Sequence, residues 1–123
     1  MHRGLIKTSF GNVHFTCNMD PASASGLPVV CFHMSPRSAD EFREVQQVLG
    51  EQGRLVVAVD ELGYGQSDAP TRSITLEEIA LCNLEVIDHL QLREFVASGQ
   101  RCPLKRTPQH KDHHKITRRR FSC

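Results

Sequence analysis

Three short, mostly apolar runs constrain this chain more than any other feature: VVCF at 29–32, LVVAV at 55–59 and EFVAS at 94–98. Near-continuous hydrophobicity over four or five residues, bounded by turn formers or polar residues, is the pattern of a strand covered on both faces. Between the first two runs, Ser38 is followed by Glu41, the spacing of a capping box, so a helix is predicted to start there. Phe42, Val45, Val48 and Leu49 would form its buried face, with Gly50 and Gly53 supplying the exit. Between the second and third runs, Thr75 and Glu78 make another capping box. Leu76, Ile79, Ala80, Asn83, Leu84, Ile87 and Leu90 then trace a helical stripe interrupted only by Asn83. Strand, helix, strand, loop, helix, strand is the order of a parallel sheet with helices on its faces.

Ahead of this alternation, residues 4–9 and 12–18 are short runs with β-branched and aromatic residues, which predicts a hairpin with Gly11 and Asn12 at its turn. DPASASGLP, at 20–28, is a loop by composition. The chain of 123 residues has room for one small domain. No run reaches the roughly 18 apolar residues of a membrane span, and MHRGLIKTSFG lacks the apolar segment of a secretory signal, so a cytoplasmic protein is expected. Cys17, Cys31, Cys82, Cys102 and Cys123 are odd in number without CxxC spacing, which argues against a disulfide scaffold.

The formal net charge of +1 conceals a division. Residues 1–99 hold 7 Lys and Arg against 13 Asp and Glu, a balance of −6, whereas 100–123 hold 8 against Asp112 alone, a balance of +7. The second stretch spreads Leu104, Ile116 and Phe121 among charges, two prolines and three histidines, and is expected to be a disordered basic tail rather than part of a core. The expected division is therefore a domain at 1–99 and a tail at 100–123.

In an open parallel sheet, ligands bind beyond the carboxyl ends of the strands, so the residues after Phe32, Val59 and Ser98 carry the interest. HMSPRSADEF follows the first run. It resembles the His-Gly-x-Pro loop of the α/β-hydrolase superfamily, in particular its epoxide-hydrolase and haloalkane-dehalogenase-like branch: His33 and Pro36 match, and Met34 replaces the usual glycine. The resemblance implies that His33, Met34, Ser35 and Pro36 form the oxyanion loop, with the Ser35 amide facing the developing oxyanion. VDELGYGQSDAP follows the second run and is similar to the family's Asp-x-x-Gly-x-Gly-x-Ser-x-x-Pro stretch. Asp60, Gly63, Gly65, Ser67, Asp68 and Pro70 all fall in place. In that fold the stretch is mainly architectural, its glycines permitting tight turns and its polar side chains tying loops together. The likeness covers residues 4–99, about four-fifths of the chain. It implies a partial α/β-hydrolase fold with sheet order 1-2-4-3-5, a small-molecule substrate in the intact family, and no cofactor.

The family's nucleophile sits on a sharp turn directly after the strand corresponding to EFVAS, in a Gly-x-Ser-x-Gly-like elbow, and its acid and histidine come later. This chain continues GQRCPL. If Gly99 opened the elbow, Arg101 would occupy the nucleophile position, where a permanently protonated guanidinium cannot attack, and Pro103 disfavours the helix that should follow. No catalytic residue is therefore assigned. The expectation is the N-terminal half of a hydrolase of the ester, epoxide or carbon–halogen type, truncated before its triad and joined to an unrelated tail by splicing, a frameshift or a mis-set gene boundary. Such a chain would leave its fifth strand as a bare apolar edge. It would also leave a sheet face uncovered, at a cost of order 10 kcal/mol for several hundred Å².

Other residues carry competing readings. His33 suits a loop-stabilising hydrogen bond better than a general base, His89 suits a solvated helix end, and Ser98 suits a small strand-end residue better than a nucleophile. The spacing C-x7-H-x2-HH-x8-C over Cys102, His110, His113, His114 and Cys123 matches no common zinc pattern, so no metal is expected. KITRRRF supports an alternative in which the protein is a non-enzymatic interaction partner whose tail contacts nucleic acid or another anionic surface.

Overall fold

The computed structural model describes residues 1–99. Five strands form one sheet: β1 (His2–Thr8), β2 (Gly11–Cys17), β3 (Val29–Phe32), β4 (Val56–Val59) and β5 (Val96–Gly99). Two helices accompany them, α1 (Arg43–Glu51) and α2 (Leu76–His89), with single 3₁₀ turns at Pro21–Ser23 and Ala39–Phe42. The spatial order is β1-β2-β4-β3-β5, as the resemblance implies. β3 pairs in parallel with β4 and with β5, while β1–β2 and β2–β4 are antiparallel, giving a mixed sheet. Among the described residues β5 pairs with β3 alone and forms an edge. The tail expected at 100–123, with its cysteines and histidines, lies outside the described residues.

Alternation along the strands divides the core. Val30, Phe32, Val57, Val59 and Ala97 join Cys82, Leu84, Val86 and Ile87 of α2 in the larger cluster. Val29, Cys31, Val56 and Ala58 face the other way, where Ala39, Phe42 and Leu49 cover them. Each central strand is thus buried on both faces, which is why β3 and β4 read as unbroken apolar runs.

Four details depart from the sequence expectations. The hairpin register pairs Thr8 with Gly11, so the turn is Ser9–Phe10 and not Gly11–Asn12. One tertiary and one local bond hold that register: the Ser9 amide donates to Glu85 of α2 at 2.9 Å, and Thr8 Oγ1 donates to the Gly11 carbonyl across the turn at 2.6 Å. Gly11 is required for another reason, since its φ is +140° and a Cβ there would lie 3.2 Å from Asp68 and 3.3 Å from Leu62.

At Ser38 the hydroxyl does cap, accepting from the Asp40 amide at 3.4 Å, but Glu41 does not reciprocate. Its carboxylate accepts from the Met34 amide at 3.1 Å instead, and the chain makes a 3₁₀ turn before α1 begins at Arg43. That turn rotates the helix. Val45 and Val48 are 41% and 55% exposed, and the buried position goes to Gln46. A polar residue is held there because its Nε2 reaches Thr16 Oγ1 at 3.1 Å and the Thr16 carbonyl at 3.2 Å, tying α1 to the hairpin. In α2 both halves of the capping box form, yet Leu76 is 72% exposed, and Cys82 and Val86, outside the predicted stripe, are buried.

Candidate functional site

The loops after β3 and β4 meet beyond the carboxyl ends of those strands. His33, 2% exposed, joins them: its Nε2 accepts from the Glu61 amide at 3.0 Å, and its Nδ1 lies 3.1 Å from the Met34 carbonyl. An accepting Nε2 places the ring proton on Nδ1, which then donates to that carbonyl. Both nitrogens are thereby committed to backbone. The ring also meets Tyr64 edge-on, with centroids 5.4 Å apart.

The loop at 33–37 spends most of its polar backbone internally. Met34's amide is taken by Glu41, and Arg37's amide donates to the Met34 carbonyl at 2.6 Å. Pro36 has no amide, and the Ser35–Pro36 bond is cis. Ser35's amide has no acceptor among the described residues, and Ser35 is exposed. Its hydroxyl lies 2.8 Å from the Tyr64 hydroxyl, so the second loop steers the side chain of the first. Arg37, 3.6 Å from Glu41, adds a partly exposed ion pair behind the loop.

The loop at 60–70 is organised around one buried carboxylate. Asp60 Oδ1 accepts from the Ala39 amide at 2.6 Å, and Oδ2 accepts from the Gln66 amide at 3.0 Å and from His14 Nδ1 at 2.9 Å. Three donors converge because a buried carboxylate requires them. Gly65 is forced by this arrangement: φ is +51°, and a Cβ would overlap the Asp60 carboxylate. Gly63, at φ +88°, donates its amide to the Asp68 carbonyl at 2.9 Å. Ser67 donates to the Asp60 carbonyl at 2.6 Å and accepts from the His14 amide at 2.8 Å, while Asp68 holds Asn12 through its amide and side chain at 2.8 and 3.0 Å. Asp60, Ser67 and Asp68 fasten this loop to β2, and Asp60 also to the 3₁₀ turn at Ala39, while Gly63 and Gly65 allow its course.

Sequence reasoning missed Glu41, Glu61, Tyr64, Asn83 and His14. Tyr64 lies inside the recognised motif, and Asn83, the one polar break in the α2 stripe, donates to Glu61 at 3.3 Å across 22 residues. Burial pushes the Glu61 carboxyl above its ordinary range, opposed by nearby His33 and by the Asn83 bond. Burial also pushes the Cys31 thiol up to about 12, with Glu41 adding to the effect. Of the other residues weighed, His89 ends α2 and is exposed, and Ser98 lies in the ladder opposite Cys31. Arg101 lies outside the described residues, and no group of three or more metal-ligating side chains occurs among those that are described.

No family model matches the chain. Among curated proteins, a non-heme chloroperoxidase of Streptomyces lividans is 32% identical over 96 residues, covering 78% of this chain and 34% of the relative. A haloalkane dehalogenase of Agrobacterium fabrum is 45% identical over 53 residues, covering 43% and 17%. Among solved structures, an epoxide hydrolase determined without ligand superposes with a TM-score of 0.67 at 26% identity, over 78% of this chain and 32% of that one. The chain thus spans about a third or less of the relatives it matches. These likenesses place the chain in the α/β-hydrolase superfamily, of which it carries the N-terminal portion.

Proposed function

We propose that residues 1–99 are the oxyanion-loop half of a hydrolase of the ester, epoxide or carbon–halogen type, with the Ser35 amide as the oxyanion donor. The observation that carries this is a difference among neighbours: the Met34 and Arg37 amides are consumed, whereas that of Ser35, an exposed residue, has no acceptor among the described residues. A preorganised donor of this kind stabilises negative charge that develops on a substrate oxygen. Met34 in place of glycine is accommodated by Glu41, which fixes its amide. On this reading His33, Met34 and Pro36 shape the loop, and Asp60, Gly63, Gly65, Ser67 and Asp68 support it.

The 123-residue chain is proposed to be truncated with respect to catalysis and to hydrolyse nothing by itself, since a nucleophile and base pair is needed and the described residues offer none. The three buried free cysteines suit the cytoplasm. The test joins residues 1–99 to the remaining two-thirds of a haloalkane dehalogenase or epoxide hydrolase. The chimera should turn over that enzyme's substrate, and Ser35→Pro, which deletes the amide, should lower kcat about 100-fold while Ser35→Ala does not. Equal activity of both variants would remove Ser35 from the oxyanion role. Turnover by the 123-residue chain alone would refute the second claim.

The charge division, −6 over 1–99 and +7 over 100–123, favours one other reading. In it the chain is an interaction protein whose basic segment binds an anionic partner. Retention on heparin that falls steeply with salt, and disappears on deleting 100–123, is the expected result; salt-insensitive or absent retention counts against it.

A further inference from the structure

The 3₁₀ turn that rotates α1 also decides which of its side chains meet water. Gln46 is buried against the hairpin, so the opposite side of the helix is the exposed one. Glu44, Val48 and Glu51 recur there at i, i+4 and i+7, with Val45 one turn before Val48. Among the large apolar side chains that the described residues leave exposed, Val45 and Val48 are the pair that one helix presents together. Arg43, at the head of α1, is paired with Asp40 at 3.1 Å. Glu44 and Glu51 are exposed and make no ion pair among the described residues.

Two valines flanked by two unpaired glutamates call for a partner that is apolar and basic at once. KITRRRF, at 115–121, has that composition: Ile116 and Phe121 enclose Arg118, Arg119 and Arg120, with Lys115 at the start. The balances of −6 over 1–99 and +7 over 100–123 give the two parts opposite sign. Position and reach allow the contact. The described chain ends at Gly99 on β5, whose Val96 packs on the same small cluster as Leu49 of α1. Lys115 lies 16 residues further on, a span of up to about 50 Å for extended chain, whereas a domain of 100 residues has a radius of gyration of about 13 Å. Tethering holds such a segment at an effective concentration of order millimolar, so a weak contact is enough.

We propose that residues 115–121 dock on the exposed side of α1 in the same chain, Ile116 and Phe121 covering Val45 and Val48 while the arginines pair with Glu44 and Glu51. The inference rests on neither reading of function above. Its consequence is that the basic segment is engaged by the chain's own surface, and an outside polyanion has to compete for it.

Limited trypsin digestion of the full 123-residue chain tests this, because a docked site is cut only when it opens. Val45→Ser combined with Val48→Ser leaves the charge unchanged, and should speed cleavage at Arg118–Arg120 about tenfold while cleavage at Lys105 and Arg106 stays the same. Salt of about 1 M, where the Debye length is about 3 Å, should release the same sites in the unaltered chain. In low salt, a carbodiimide that joins an amine to a carboxylate should link Lys115 to Glu44 or Glu51 within one chain. Unchanged cleavage in the double variant, or Lys115 links spread over carboxylates away from α1, overturns the proposal. Protection or linking that grows with protein concentration also overturns it and identifies a second copy as the occupant. Should the double variant unfold, seen as new cuts within 1–99, Glu44→Gln with Glu51→Gln replaces it, with the same expected and overturning results.

Discussion

The loops after β3 and β4 share the same end of the sheet but use their polar groups in opposite ways. In the 60–70 loop Asp60, Ser67 and Asp68 are spent on bonds to other parts of the fold, with Asp60 alone gathering the Ala39 and Gln66 amides and His14. In the 33–37 loop the Met34 and Arg37 amides are spent, whereas that of Ser35, an exposed residue, has no acceptor among the described residues. Strong motif character marks the first, weaker motif character the second. A dense constellation of glycines and carboxylates therefore signals a brace, whereas chemistry is carried by the group that the brace leaves unused.

Four substitutions would break or sharpen that contrast. Asp60→Ala leaves the Ala39 and Gln66 amides and His14 without their acceptor and should cost about 4 kcal/mol in denaturant unfolding. Gly65→Ala places a Cβ against the Asp60 carboxylate at φ +51° and should cost about 3 kcal/mol by the same measurement. Glu41→Ala should cost about 1 kcal/mol and accelerate hydrogen exchange at the Met34 amide, showing that the exposed loop is held from one side only. Ser35→Ala should change stability by less than about 0.5 kcal/mol, as expected of a residue kept for function. A cost at Ser35 comparable to that at Asp60 would erase the distinction.

A pH experiment addresses the junction of the two loops. The folded-state pKa of Glu61 is raised by burial, so the fold binds that proton more tightly than the unfolded chain does. Its contribution is favourable at acidic pH and is lost as pH rises through the unfolded and then the raised folded value. Glu61→Gln should therefore raise the thermal midpoint at neutral pH, with the gain shrinking on acidification below the ordinary carboxylate range. A gain independent of pH would place its origin elsewhere.

The elements written as contiguous runs were legible in the sequence: β3 and the α2 capping box appear where the pattern puts them. The residues singled out for the site lie in the two loops that follow β3 and β4. Partnerships across the fold were not legible. Glu41 has the spacing of a helix cap, and nothing in SADE reveals that Met34 outcompetes Ser38 for its carboxylate. Gln46 reads as solvent-exposed until Thr16 is known to lie above it. His14 shows no signal at all in the GNVHFTC strand, because its partner is 46 residues away. Local rules see neighbours in sequence, and these groups are chosen by neighbours in space.

Cys17 of β2 and Cys82 of α2 share the larger core cluster on one side of the sheet, whereas Cys31 of β3 faces α1 on the other. With burial holding each thiol protonated, none presents a thiolate to a reagent while the chain is folded. Each is thus a built-in clock. The order in which a maleimide captures them reports which side of the sheet opens first, and Cys31, 1% exposed on a strand paired on both sides, should be the last to be modified.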